Sequence, residues 1–158
     1  MKSATEWFEH YAESHQNPLN KKIHWICIPV ILVTTLGLMQ SIPHPFGEQQ
    51  FILHWGSLFV MVSLGFYFRL SWTLGLGMCL VSAIALGLNA GIAFFALPLA
   101  QLSALFFALA WVLQFVGHRI EGKKPSFFED LQFLLIGPAW LLQFIYQKIG
   151  IRIETRGT

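Results

Sequence analysis

Two short stretches concentrate the side chains able to bind a metal or move a proton. The first carries His15, Asn20 and His24, the second Gln114, His118 and Glu121. On helices, Asn20 and His24 stand four apart, and Gln114, His118 and Glu121 follow at steps of four and three, so each set forms a stripe on one face. Neutral imidazoles beside one carboxylate, with coordination positions left open, suit non-haem Fe(II) oxygen chemistry. A plainer reading stands beside this one. Histidines at helix ends often sit at headgroup level, and Glu121 beside Arg119, Lys123 and Lys124 is an ordinary surface ion-pair partner. Spacing leaves both open, because His24 and His118 lie on different segments that only packing can join.

The elements that must position these residues are apolar. The chain has 158 residues, 55% of them hydrophobic and 11% charged, against roughly 25% charged in a soluble domain. From Leu70 to Gly117 there is no Asp, Glu, Lys or Arg, long enough to cross a ~30 Å hydrocarbon layer twice. Spans are expected over residues 23–42, 51–68, 71–88 and 92–116, with turns at residues 43–47 and at Asn89-Ala90-Gly91, and with Pro98 as a kink. A fifth apolar stretch, residues 131–149, is interrupted by Gly137-Pro138. Residues 4–15 read as an amphipathic helix with Trp7, Phe8, Tyr11 and His15 on one side, anchored at the interface. Asn17-Pro18 breaks the chain after it.

Lys and Arg in short loops favour the cytoplasmic side. Lys21 and Lys22, then Arg69, then Arg119, Lys123 and Lys124 occupy alternate connections, and the intervening ones hold neither residue. The expected fold is therefore an all-α integral membrane protein, a single domain over residues 1–158. It has four transmembrane helices, an N-terminal interfacial amphipathic helix and a C-terminal re-entrant or interfacial apolar segment, since Lys148, Arg152 and Arg156 also prefer the inside. Both termini are expected to be cytoplasmic, in a bacterial inner membrane. His15, His24 and His118 then fall at the cytoplasmic face, His44 and His54 near the opposite one, and His10 at headgroup level. A formal charge of +2 scattered among loops argues against a nucleic-acid partner. Cys27 and Cys79 lie in apolar runs and suggest no disulfide framework. Glu6, Glu9 and Glu13 precede the first apolar run, unlike a cleaved signal with a basic start.

Two blocks resemble a known family, the membrane 2-hydroxy fatty acid dioxygenases of fatty-acid α-oxidation. His15-Gln16-Asn17-Pro18-Leu19-Asn20-Lys21-Lys22-Ile23-His24, with Pro29 after it, is similar to its His-x-Asn-Pro-x-Asn-x-x-Ile-His-x4-Pro signature. Trp111-Val112-Leu113-Gln114-Phe115-Val116-Gly117-His118, followed by Glu121 and Pro125, is similar to its Trp-x-x-Gln-Phe-x-Gly-His block. Glu121 follows the histidine by three residues where fungal members have four, and Ser126 and Gln143-Phe144 also depart from them. The resemblance implies an Fe(II) enzyme that uses O2 to shorten a 2-hydroxy fatty acid by one carbon. Carried over by motif position, His15, His24 and His118 hold the iron. Glu121, Gln114 and Asn20 are expected to assist, the last two by orienting imidazoles. Lys21, Lys22, Arg119, Lys123 and Lys124 are expected to attract the substrate carboxylate, and membrane lipid surrounds the chain. The rival readings are a small haem-binding protein and a non-enzymatic membrane scaffold, and a homo-oligomer is open in each.

Overall fold

The computed structural model describes residues 3–43, 53–122 and 127–154, the last stretch with its side chains from Leu134 onward. His44, Lys123, Lys124 and Arg156 lie outside the described residues, as does most of the expected turn after Pro43. Among the described residues the chain forms six helices: α1 (Ala4–Ala12), α2 (Pro18–Gln40), α3 (Trp55–Leu70), α4 (Trp72–Phe94), α5 (Leu99–Glu121) and α6 (Phe127–Ile149). Among the described residues there is no strand.

Helices α2, α4 and α5, each of 23 residues, are long and apolar enough to cross a membrane, whereas α3 has 16 residues, about 24 Å at 1.5 Å per residue. Their outward surfaces are apolar: Ile26, Leu80 and Val112 are 68%, 64% and 59% exposed. A water-soluble bundle would place charged side chains there.

Several boundaries differ from the sequence expectation for local reasons. Helix α2 starts at Pro18 rather than residue 23. Asn17 caps it, its side chain accepting from the Leu19 N–H at 2.9 Å, and a proline in the first turn gives up no bonded N–H. The break at Asn17-Pro18 is thus a helix start. Helix α1 ends at Ala12, which leaves His15 in the connection instead of on the amphipathic face. Asn89-Ala90-Gly91 is not a turn; α4 runs through it to Phe94. Asn89 is fully buried and donates to the Val33 carbonyl at 2.9 Å, so its amide N–H finds its partner on α2 and not in a loop. The reversal comes at Ala96, with φ +54°, and Pro98 precedes α5 instead of kinking it. Helix α6 continues through Gly137-Pro138. His54 caps α3, its Nδ1 accepting from the Ser57 N–H at 3.2 Å.

Helices α2 and α5 run antiparallel in the most extensive contact of the molecule, and α3 lies against α4. Two glycines set the α2–α5 approach. A Cβ on Gly37 would collide with the Ser103 Oγ at one end, and a Cβ on Gly117 with the Asn20 Oδ1 at the other. Small residues at such crossings let backbones approach closely in apolar surroundings. The main core joins α1 through Ala4, Phe8 and Tyr11 to α6 through Ile136, Ala139 and Trp140, together with Tyr67, Leu70 and Leu74. Tyr67 donates to the Leu135 carbonyl at 2.7 Å, and Tyr146 to the Thr73 carbonyl at 2.9 Å. Both bonds fasten α6 near the α3–α4 junction.

Candidate metal centre

The antiparallel α2–α5 pair brings the start of one helix beside the end of the other, and this joins the two polar blocks. His24 sits in the second turn of α2 and His118 in the last turn of α5, while His15 comes from the α1–α2 connection. Their exposures are 1%, 5% and 1% respectively. The ring centroids of His15 and His24 are 4.3 Å apart, those of His24 and His118 5.0 Å, and those of His15 and His118 5.4 Å. One nitrogen from each ring lies within 4.8 Å of the other two.

Hydrogen bonding orients two of the rings. The Nδ1 of His15 is 2.7 Å from the Tyr11 carbonyl and the Nδ1 of His24 is 3.0 Å from the Asn20 carbonyl. A carbonyl only accepts, so each Nδ1 carries the proton and donates, leaving an Nε2 lone pair. Both Nε2 atoms are buried without a hydrogen-bond partner. A buried acceptor left open costs about 1–3 kcal/mol, and an imidazole that ligates a metal almost always donates its other nitrogen to a carbonyl, carboxylate or water, as these two do to carbonyls. The donor set therefore fits a divalent transition metal. His15 also stacks on Tyr11, with centroids 4.1 Å apart and planes 13° from parallel, and lies 5.6 Å from the Trp140 ring. Burial pushes the His15 imidazole down from 6.5 to about 4, against the opposing pull of the Tyr11 carbonyl, so it is neutral and a competent ligand at pH 7.

Glu121 occupies a different place from the histidines. Its carboxylate accepts from the Gln16 N–H at 2.7 Å, the Asn17 N–H at 2.9 Å and the Asn20 side-chain amide at 3.0 Å. It thereby ties the end of α5 to the loop that carries His15, next to the positive end of α2. Asn20 is fully buried and its amide also donates to the Ser14 carbonyl at 3.2 Å, so one side chain links the His15 loop to Glu121. Its own carbonyl orients His24. Gln114, one turn before His118, lines a cavity of about 30 Å³ with Tyr11, Trp111 and His118, room for one or two water-sized molecules.

Of the expected carboxylate-attracting cations, Lys22 and Arg119 are exposed and Lys21 is half-buried at the same end. Lys21 is near enough to lower the proton affinity of His15. Sequence reasoning missed Tyr11, Trp140 and Gly117 as parts of this site. Tyr11 stands four residues before His15, a spacing that signals a local contact, and Gly117 directly precedes His118. Nothing in the chain order points to Trp140.

The family model described as Mpo1-like, 2-hydroxy-palmitic acid dioxygenase Mpo1-like, matches residues 1–149. The 2-hydroxy-palmitic acid dioxygenase MPO1 of Saccharomyces cerevisiae is 29% identical over 151 residues, covering 94% of this chain and 82% of the yeast protein. No solved structure matches. The chain belongs to the Mpo1-like family.

Proposed function

We propose that this chain is an Fe(II)-dependent dioxygenase that shortens 2-hydroxy fatty acids by one carbon, with His15, His24 and His118 holding the iron. The observation that carries the reading is the buried trio of imidazoles, two of them with an unpartnered Nε2, in a chain of a family named for a 2-hydroxy fatty acid dioxygenase.

The overall reaction balances without a further reductant: R–CH(OH)–COOH and O2 give R–COOH, CO2 and H2O, the substrate supplying all four electrons. Fe(II) supplies a centre where the carboxylate and hydroxyl oxygens of the substrate can meet O2. The protein's part is positioning. An ion held by three imidazole nitrogens would keep its charge uncompensated, which would favour an anionic head, and Lys21, Lys22 and Arg119 at the same end add to that attraction. Lys123 and Lys124 keep the same assignment as an expectation. Asn20 and Glu121 hold the His15 loop and the start of α2 against the end of α5. Gln114 lines the small cavity beside His118 and offers an amide to a polar group held there. Tyr11 and Trp140 wall the site with apolar surface and limit access of water.

Helices α2 to α5 cross the membrane in this reading, with α1 and α6 at the cytoplasmic end of the bundle. Several features support it. Tyr146, near the end of α6, bonds to Thr73 in the first turn of α4, beside Arg69 and at the same end as the histidines. Alternation of Lys and Arg puts that end inside. A haem fits poorly, because the third imidazole stands within 4.8 Å of the other two, where a macrocycle between two axial ligands needs free space.

The test is loss of a 2-hydroxy fatty acid and matching O2 uptake in membranes carrying the wild-type chain, with anaerobic and chelator controls. His24→Ala and His118→Ala should each lower turnover by more than about 100-fold, beyond the 10–100-fold seen when a ligand's supporting partner is lost. Iron-loaded wild type that consumes neither substrate nor O2 would sink the proposal. A Soret band in the purified protein would favour the haem reading, and variants behaving like wild type would favour a scaffold.

A further inference from the structure

We propose that the apolar groove between α2, α4 and α6 holds the hydrocarbon chain of the substrate while its head lies at the three histidines, and that Val33 and Ile84 limit chain length. The proposal rests on the reading of this protein as acting on a 2-hydroxy fatty acid.

The groove has a volume of about 250 Å³ and is walled by residues between Trp25 and Val33 of α2, Val81 and Leu88 of α4, and Pro138 and Ile145 of α6. On α2 its walls cover eight residue steps, roughly 12 Å at 1.5 Å each. Aliphatic side chains, Trp25 and two prolines line it, with no ionisable group among them. Surroundings of this kind suit a hydrocarbon chain and nothing that needs hydrogen bonds.

Proximity to the metal centre identifies the occupant. Ile28, Leu32 and Pro138 line both the groove and the small cavity that reaches Gln114 and His118. A molecule with a chelating head and an apolar tail spans the two where the Ile28 and Leu32 side chains of that shared wall turn aside.

The space has a backbone cause. Pro29 lies inside α2 and Pro138 inside α6, and both line the groove. A proline in a helix interior lacks an N–H and its ring crowds the carbonyl four residues earlier, so the two helices cannot lie flush there. The floor is the buried Ala85, 2% exposed, and the rim includes Ile84 and Leu88, 56% and 54% exposed. An insoluble substrate can enter sideways from lipid over that rim.

Two experiments on the full chain in phosphatidylcholine nanodiscs decide the matter. A 2-hydroxy fatty acid with a diazirine near its methyl end is irradiated and the adducts are mapped by mass spectrometry. Adducts on Val33, Ile84 or Leu88 that excess unlabelled 2-hydroxy acid displaces are expected. Adducts that are not displaced, or that spread over the outer face of α5 at Leu105 and Val112, would mean ordinary lipid fills the groove and would overturn the proposal. In the second experiment, Val33→Trp and Ile84→Trp should lower the rate ratio for a long over a short 2-hydroxy acid by about tenfold, the effect of displacing roughly two methylenes. Val112→Trp on α5 should leave that ratio unchanged. Wild-type turnover with an unmoved ratio in both groove variants would overturn the groove alone. Displaceable groove adducts without any O2 uptake would overturn the dioxygenase reading and leave the groove standing.

Discussion

Glu121 illustrates how one side chain can support a metal centre without belonging to its cluster of imidazoles. Its carboxylate takes three N–H donors from Gln16, Asn17 and Asn20, and those residues flank His15 and begin the helix that carries His24. Glu121→Ala should lower iron affinity by about 10–100-fold, the range for lost supporting partners, with Glu121→Gln retaining part of it because an amide oxygen still accepts. Iron titration followed by dialysis reads the difference, and full affinity in Glu121→Ala would contradict the clasp. His15 makes a second prediction at this level. Its folded value of about 4 lies below the unfolded 6.5, so the unfolded chain binds more protons between them. Stability is then present in full above pH 6.5 and lost as pH falls toward 4, by an amount on the order of 3 kcal/mol. Thermal unfolding of metal-free protein across this range should show a falling Tm, and a flat Tm from pH 7 to 4.5 would contradict a buried neutral His15. The histidines and their helical neighbours were visible in the chain order. Tyr11 and Trp140 were not assigned, because a stacking partner or a wall declares itself through shape and not through an unusual residue type.

Helices α2 and α5 carry the site between them, and their separation is set at Gly37 and Gly117. Gly117→Ala should push Asn20 away, loosening its bonds to Glu121 and to the Ser14 carbonyl, at a cost of about 1–3 kcal/mol as for other over-packed contacts. Gly37→Ala meets Ser103 at the far end of the same pair. It should cost similar stability yet leave iron affinity nearly unchanged, because the histidines lie at the other end. Comparing Tm with iron affinity in the two variants separates packing from site geometry, and equal loss of iron affinity in both would argue against a local role for Gly117. The sequence signals for these helices were strong in the middle and weak at the ends. Hydropathy marks where a segment is apolar, whereas its termini depend on caps such as Asn17 and on whether a polar residue finds a partner in another helix. Asn89 looks like a turn residue until the Val33 carbonyl is beside it.

Among the described residues the bundle has a polar end at the histidines and an apolar girth. With α2 to α5 crossing, single cysteines introduced at Lys22 and Arg119 should react with a membrane-impermeant thiol reagent only from the cytoplasmic side, and one at Ser41, after α2, only from the opposite side. Labelling of Lys22→Cys and Ser41→Cys from one side would refute the topology. Composition and periodicity were enough to indicate a helical chain rich in apolar segments, because a helix that can cross a lipid layer needs an apolar run of about 20 residues. They also marked His15, His24, His118, Asn20, Gln114 and Glu121, and two motif blocks were enough to indicate the family. What had to wait for packing was the meeting of residues nearly a hundred positions apart, the turn of Glu121 toward a backbone loop, and a groove that shares Ile28, Leu32 and Pro138 with the cavity beside His118. Contacts between helices depend on how close their backbones come and on which residues meet at each crossing, and no single segment encodes that distance.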